Sequence, residues 1–219
     1  MKSPFSILLL ALLTLSSSLT AATVSLSITS NGGPMFSTSG GSLLAMGSAV
    51  RVGLFDLSGG NLTTIQTSND YFAVNALFTP LGENGGVTGA SAQPNNASTT
   101  MLMINDFFGA GNILGQIGNI ESAYLAAGRQ LFAWVFNTAA PESASEWGIF
   151  SATTGWNSPS TLGSETLATS EIDTILRGST TGGLTTSDRL SLSPVPEPGS
   201  LLLVIGSALA FSLRRSRRR

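Results

Sequence analysis

The chain has 219 residues, of which 42% are hydrophobic and only 10% charged, and it contains neither histidine nor cysteine. This length supports one domain with its own hydrophobic core. The lack of His and Cys excludes Ser-His-Asp triads, cysteine nucleophiles and zinc sites built from these ligands. Residues 23–195 contain four arginines and eleven acidic residues, a net charge of −7, which argues against a nucleic-acid partner.

The amino terminus has the three parts of a secretory signal peptide. Lys2 precedes an apolar run from Phe5 to Leu15, and a small polar stretch then ends in Ala21-Ala22. Small residues before the cut suit signal peptidase, so we expect cleavage after Ala22 and a mature chain that begins at Thr23. The alternative is an uncleaved anchor helix, which is disfavoured because the apolar run is shorter than the ~20 residues that span a bilayer.

Short alternating or apolar runs predict β-strands along residues 23–193, the expected ectodomain. Apolar and polar residues alternate over Val24–Ile28 and Val50–Leu54, which predicts two half-buried strands. The run Leu131–Phe136 is apolar on both faces and suits a central strand, with Trp147–Phe150 as its partner in a long-looped hairpin. Leu190 and Leu192 predict a last strand. This pattern favours a mainly β, β-sandwich-like single ectodomain with a few short helices.

Three segments carry weaker helical signals. Ser170-Glu171-Ile172-Asp173 resembles a capping box before a short helix that Gly178 would end. Asn69–Phe78 and Asn119–Ala127 are the other two predicted helices. The stretch 82–97, rich in Gly, Asn, Ser and Pro, predicts a flexible loop, and 109–115 predicts turns because its spacing does not fit a phosphate-binding Gly-x-Gly-x-x-Gly loop.

Carboxylates are the side chains that remain for hydrolytic chemistry. Glu142 and Glu146 flank a loop, and Glu171 stands near Asp173, so either pair would supply the acid and base of a glycosidase. Acids in turns and at helix starts more often cap backbone groups or face solvent, so we assign no catalytic residue and expect no enzyme. Thr23 as an amino-terminal nucleophile is disfavoured because no lysine follows Lys2. A secreted carboxylate hydrolase is therefore the least favoured of the three functions that we consider for the body.

No cofactor and no metal site is predicted. The carboxylates that would bind calcium are scattered and form no D-x-D-x-D loop: Asp56, Asp70, Glu83 and Asp106. Calcium binding stays open as an alternative without a motif.

Aromatic residues support an alternative role for the body, that of a carbohydrate-binding module. Trp134 and Trp147 lie in predicted strands and suit the core. Trp156 lies between Gly155 and Asn157 in a polar loop, so it is the tryptophan that this alternative requires to be exposed and to stack on a sugar ring. An ice-binding surface is disfavoured because the Thr pairs show no constant spacing.

The carboxyl terminus, residues 194–219, consists of a proline-flanked strip, an apolar segment and a basic end. Pro196 and Pro198 lack backbone donors, which predicts an extended strip that includes Glu197. Residues 200–213 predict a short transmembrane helix of about 21 Å, against a hydrocarbon core of ~30 Å. Five of the ten cations follow it and place this end on the cytoplasmic side: Arg214, Arg215, Arg217, Arg218 and Arg219.

Val-Pro-Glu-Pro-Gly-Ser, an apolar helix and a terminal arginine cluster, in this order, resemble the PEP-CTERM sorting signal of Gram-negative bacteria. This type of tail is also catalogued as a C-terminal domain of ice-binding proteins, a label that concerns the tail alone. The resemblance implies that a membrane-embedded exosortase recognises Pro196-Glu197-Pro198, removes the helix and arginines, and delivers the protein to the cell surface or an exopolysaccharide matrix. An ordinary tail anchor would explain the helix and charges but not the Pro-Glu-Pro strip.

Two stretches of the body are similar to proteins of the same group that have no assigned function: RVGLFDLSGG from Arg51 and RQLFAWVFNTAAPESASEWGIFSA from Arg129. The chain is thus expected to comprise a signal peptide (1–22), an ectodomain (23–193) and a sorting signal (194–219). Its expected role is structural or exopolysaccharide-associated. The expected partners are signal peptidase and exosortase, the inner membrane as a transient station, and exopolysaccharide.

Overall fold

The computed structural model describes residues 23–30, 32–81, 101–103, 110–121, 128–158 and 163–195. These residues are mostly β-structure with few short helices, which confirms the mainly β prediction. The predicted signal peptide, the predicted loop 82–97 and the tail from Pro196 onward lie outside the described residues. The elements are β1 Thr23–Thr29, β2 Met35–Ser37, β3 Ala49–Phe55, α1 Asn61–Thr67, α2 Tyr71–Asn75, β4 Phe78–Pro80, β5 Met101–Met103, β6 Leu114–Glu121, β7 Phe132–Phe136, β8 Glu146–Ser151, β9 Gly163–Ala168, β10 Thr174–Arg177, β11 Ser179–Thr181, β12 Arg189–Ser191 and β13 Ser193–Pro194.

Seven strands build a central sheet in the order β10-β8-β7-β3-β4, with β13 paired to β8 and β5 paired to β3. Every pair in this sheet is antiparallel. β7 and β8 form the predicted hairpin, in which Phe132 lies opposite Ser151 and Phe136 opposite Trp147. The hairpin prediction is confirmed, and its loop contains a 3-10 turn over Pro141–Ser143.

Two smaller sheets have the orders β6-β1-β9 and β11-β12-β2. The strands predicted around Val24 and Leu190 are confirmed as β1 and β12. β6 was not predicted, and it corrects two expectations. The predicted turns 109–115 give way to this strand at Leu114, and Asn119–Glu121 belong to it instead of a helix. The rest of that predicted helix, 122–127, lies outside the described residues.

Both faces of the central sheet carry buried apolar side chains. One face, the sheet-side cluster, joins Val50, Val52, Leu54, Val135 and Phe150 to residues of the smaller sheets: Phe36, Leu167 and Leu190. The other face, the helix-side cluster, joins Phe55, Trp134, Phe136, Trp147 and Ile149 to residues of the helices: Ile65 and Val74. β3 is therefore buried over its whole length. The prediction that β3 is half-buried is wrong because the helices cover its second face.

Residues 169–177 form a 3-10 turn and a strand, so the predicted helix after Ser170 is wrong. Thr174 lies opposite Ser151 and Ile175 opposite Phe150 in the β10–β8 pair. An open edge of β8 needs backbone partners, and β-branched Thr174 and Ile175 suit a strand better than a helix. Gly178 then turns the chain at φ 113°, where an added Cβ would lie 2.7 Å from the Ser191 carbonyl oxygen.

The helices are short and owe their positions to local contacts. The helix predicted over Asn69–Phe78 exists only as α2, because Phe78 begins β4. Asp70 starts α2 by accepting hydrogen bonds from the backbone N–H groups of Phe72 (2.9 Å) and Ala73 (3.4 Å). Neither helix of the described residues has the length and apolar character that crossing a membrane requires.

Candidate functional site

The candidate site is the place where the chain leaves the central sheet toward the predicted sorting signal. β13 pairs with β8, so that Ser193 lies opposite Trp147 and Pro194 opposite Glu146. The Val195 N–H donates to the Ser145 carbonyl oxygen at 2.7 Å, and the Val195 side chain packs against the helix-side cluster. Hydrogen-bonded structure thus reaches the residue immediately before Pro196. We call Ser193–Val195 the exit segment.

Prolines on both sides of Val195 weaken the strand ladder at this point. Pro194 has no N–H to donate to β8, and Pro196 and Pro198 have none to continue the pairing beyond Val195. Two residues make a very short strand, so backbone pairing alone holds the exit segment weakly. A side chain from the neighbouring strand supplies a further contact.

Arg177 of β10 connects the exit segment to the rest of the fold. One guanidinium nitrogen, Nη2, donates to the Pro194 carbonyl oxygen (3.2 Å) and to Asn69 Oδ1 (2.7 Å), and the other, Nη1, donates to the Ser68 carbonyl oxygen. The guanidinium carbon lies 4.8 Å from the ring centroid of Trp147. Arg177 therefore joins the α1–α2 loop, the central sheet and the exit segment. We call the set of Arg177, Ser68, Asn69, Trp147 and Pro194 the Arg177 clamp.

The clamp buries a cation against neutral groups. Arg177 is 7% exposed, and its hydrogen-bond acceptors are two backbone carbonyls and one amide oxygen. Burial lowers the pKa of the guanidinium through desolvation, but arginine stays protonated in proteins. Its Nε has no hydrogen-bond partner within the described residues. The aromatic face of Trp147 stabilises the charge as a cation–π contact.

Trp156 is fully buried, so the expectation that it is exposed for sugar stacking is wrong. Its ring belongs to the sheet-side cluster, and its Nε1 donates to the Ala168 carbonyl oxygen at 3.1 Å. The Trp156 carbonyl also accepts a hydrogen bond from the Leu131 N–H at 2.7 Å. These contacts fold a polar-looking loop back onto the core. Trp134 and Trp147 are buried as predicted.

Two of the four candidate catalytic carboxylates accept hydrogen bonds from loop residues. Glu146 accepts hydrogen bonds from the Ser39 N–H (2.7 Å) and hydroxyl (3.0 Å). Asp173 accepts from the Thr153 N–H (2.7 Å) and the Thr174 hydroxyl (2.8 Å). The backbone hydrogen bond from Thr153, followed by the Thr174 hydroxyl, lowers the pKa of Asp173. The other two candidates, Glu142 and Glu171, are exposed in 3-10 turns.

The two calcium candidates that the structure describes accept hydrogen bonds from residues close to them in sequence. Asp56 accepts from the Ser58 N–H (3.0 Å) and Asn61 Nδ2 (2.9 Å), and the Ser58 bonds lower its pKa. Asp70 begins α2. Within the described residues, no three or more carboxylates cluster in a way that would hold a metal ion. Glu83 and Asp106 lie outside these residues.

A cleft of about 200 Å³ lies at the end of β1, lined by Ser30, Gly33, Met35, Asn112 and Thr186 among others. Its volume is below the ~300–1,000 Å³ of typical small-molecule sites. Ser30 and Asn112 already bond to each other there at 3.0 Å. The cleft therefore gives no sign of a ligand class.

Comparison with protein families, with curated proteins and with solved structures finds no match to this chain.

Thr23, the predicted first mature residue, is also the first residue of β1, opposite Glu121. The other residues of the predicted processing signals lie outside the described residues: Ala22, Pro196, Glu197, Pro198, Arg214, Arg215, Arg217, Arg218 and Arg219.

Sequence reasoning missed Arg177, and a signal for it was present. Residues 23–195 contain only four arginines, and two of these stand inside short strand-like runs, AVRVGLF and TILR. An arginine is almost never fully buried unless other groups compensate its charge. An arginine within an apolar strand therefore indicates that aromatic rings and carbonyl groups surround its guanidinium.

Proposed function

We propose that this is an exported surface or extracellular-matrix protein that an exosortase sorts through Pro196-Glu197-Pro198. The observation that carries the proposal is the order of three elements at the chain end: the Pro-Glu-Pro strip, the apolar segment and the five arginines. The backbone hydrogen bond of Val195 to Ser145 supports it, because the strip follows directly after a residue that is held in the fold. Because Pro196 and Pro198 have no backbone N–H to donate, we expect the strip to be available to a processing enzyme in extended form.

The arginines act as a stop during export. Moving each one through the hydrocarbon core costs roughly 2.5–3.5 kcal/mol on insertion scales, so the apolar segment stays in the inner membrane. The strip is then held at the outer face, where exosortase cuts the chain. The mature protein continues to the cell surface or to the exopolysaccharide of a biofilm.

The body, in this proposal, is a β-sandwich-like ectodomain with a structural role and no catalytic site. The sheet-side cluster supports the layered arrangement because it joins central strands to Phe36, Leu167 and Leu190 of the smaller sheets. Glu146 and Asp173 support the non-catalytic role, since both carboxylates are engaged by loop N–H groups. The carbohydrate-binding alternative has lost its stacking candidate, because Trp156 is buried.

A pull-down and an activity assay separate the three functions. A carbohydrate-binding module retains matrix polysaccharide, a hydrolase releases sugar from it, and a structural protein does neither. We expect neither result for the exported protein. Sugar release that Glu146→Gln or Glu171→Gln abolishes would establish the hydrolase instead.

Glu197→Ala tests the sorting proposal itself. Glu197 is the charged group of the strip, so its loss should trap a membrane-bound precursor, as should deletion of exosortase. Glu142→Ala, an exposed glutamate of a turn, is the matched control and should be processed normally. Pulse-chase labelling of the membrane fraction measures the precursor. Normal processing of Glu197→Ala would contradict recognition of the strip. A separate test concerns the predicted signal peptide: amino-terminal sequencing of the exported protein should find Thr23 as the first residue.

A further inference from the structure

We infer that Arg177 is a positioning residue of the sorting reaction: it fixes the exit segment, so that the Pro-Glu-Pro strip leaves the folded domain at a constant distance from the membrane. The inference rests on the proposed function. It adds a residue of the ectodomain, far from the tail in sequence, to the determinants of where the chain is cut.

The contacts of Arg177 fit this role better than a role in the interior of the fold. Its Nη2 donates to the Pro194 carbonyl oxygen, two residues before the strip begins. The same side chain is anchored on Trp147 of β8 and on Asn69 of the α1–α2 loop. Arg177 thus fastens the exit segment to two separate parts of the domain.

The exit segment needs such a contact because its own pairing is weak. Pro194 is exposed and cannot donate a hydrogen bond to β8. The Val195 N–H bond to Ser145 is the last backbone bond before Pro196. Without Arg177, the next secure position upstream is Leu192, whose N–H donates to the Ser37 carbonyl oxygen at 2.9 Å and whose side chain is buried.

The point of attachment determines how far the domain stands from the bilayer. From Val195 to Ser200, where the apolar segment begins, an extended chain spans at most roughly 18 Å. From Leu192 to Ser200 it spans at most roughly 29 Å. Release of the exit segment therefore lets the strip slide relative to an enzyme that is embedded in the membrane. A held exit segment predicts one carboxyl terminus, and a released one predicts several.

The test uses the full chain in cells that contain exosortase, with mass spectrometry of the exported protein. Arg177→Met keeps the buried volume but removes every hydrogen bond of the clamp. Arg189→Met is the matched control, because the Arg189 guanidinium donates to the backbone carbonyls of the neighbouring Ser187 and Asp188. A second change inserts Gly-Ser-Gly-Ser between Val195 and Pro196, which lengthens the tether and leaves the clamp intact.

We expect one carboxyl terminus for wild type and Arg189→Met, and a mixture of termini for Arg177→Met. The insertion should give a similar mixture, and Arg177→Met should add nothing to it. A purely structural role would instead lower yield in both backgrounds without changing the cut position. If Arg177→Met does not fold, Arg177→Lys replaces it, because lysine keeps the charge but cannot form the forked contacts of the guanidinium.

Two outcomes overturn the inference and are distinguishable. A single, unchanged terminus in the insertion variant or in folded Arg177→Met would remove Arg177 from the reaction while leaving the sorting proposal intact. A wild-type protein that still ends at Arg219 would remove both.

Discussion

Two buried arginines lie over tryptophans on the same face of the central sheet, yet they join different parts of the molecule. Arg51 of β3 lies over Phe78 (4.9 Å) and Trp134 (5.6 Å), and its Nη1 donates to Tyr71 Oη and Asn75 Oδ1. It ties the middle of the sheet to α2. Arg177 lies over Trp147 at the sheet edge and ties the exit segment to the α1–α2 loop. The same chemistry thus holds the interior in one place and the chain end in the other.

We expect this difference to separate effects on stability from effects on the proposed processing. A change at Arg51 loosens contacts in the centre of the helix-side cluster and should destabilise the whole domain. A change at Arg177 loosens contacts at the edge of the central sheet. Loss of these contacts should leave the centre of the helix-side cluster in place.

Replacement of the two tryptophans should show that the Arg51 region is the more important for stability. Trp134 contacts the rings of Phe55, Tyr71, Phe78, Phe136 and Trp147. Trp134→Ala should lower the free energy of unfolding by about 3–5 kcal/mol, and Trp147→Ala by less, because fewer rings surround Trp147. Urea denaturation of the exported protein measures both. A larger loss for Trp147→Ala would reverse the comparison.

Arg51→Met should lower the free energy of unfolding by about 2 kcal/mol, because it removes a desolvated cation–π contact and the two hydrogen bonds to Tyr71 and Asn75. It should leave the carboxyl terminus of the mature protein unchanged. Urea denaturation and mass spectrometry on the same preparation check both halves. A shifted carboxyl terminus in a folded Arg51→Met protein would show that processing responds to stability in general and not to Arg177.

Trp156→Phe tests the sheet-side face, which neither arginine touches. The change keeps a buried ring but removes the hydrogen bond to the Ala168 carbonyl, so we expect a loss of about 1 kcal/mol. Retention on matrix polysaccharide should equal that of wild type. Selective loss of retention with an unchanged unfolding curve would restore Trp156 as a ligand contact.

The smallest effect concerns pH. Hydrogen bonds from Thr153 and Thr174 lower the pKa of Asp173 below its ordinary 3.8. The ionised form is therefore favoured by folding, and its contribution is present above about pH 3.8 and is lost as the pH falls through the lower folded value. Arginine side chains stay charged in this range, so the acid loss reports on loops and not on the clamp. Thermal unfolding of Asp173→Asn should depend less on acid than wild type does; an identical dependence would contradict this.

The parts of the fold that could be predicted are those whose side-chain pattern depends on local structure alone. Leu131–Phe136 is apolar on both faces, and it indeed forms a strand buried on both sides. The capping-box pattern at Ser170 failed because the open edge of β8 recruits Thr174–Arg177. Arg51 suggested a solvent face for β3, but helices that the sequence only partly predicted cover that face.

The same limit applies to the candidate site. The strip and the arginine cluster are contiguous in sequence and were readable from it. The Arg177 clamp joins residues that are 108 positions apart at Asn69 and 17 apart at Pro194, and such contacts depend on the packing of the whole domain. Trp156 was misjudged for the same reason, because the loop around it is polar while its contacts come from Leu131 and Ala168.

Intact mass spectrometry of the protein recovered from the cell surface tests the central claim most directly. We expect a chain that begins at Thr23, has one carboxyl terminus and lacks the apolar segment from about Ser200 together with the five terminal arginines. A precursor that still carries Arg219 should be found only in the membrane fraction. A surface protein that ends at Arg219 would show that the tail is a membrane anchor and would contradict sorting by exosortase.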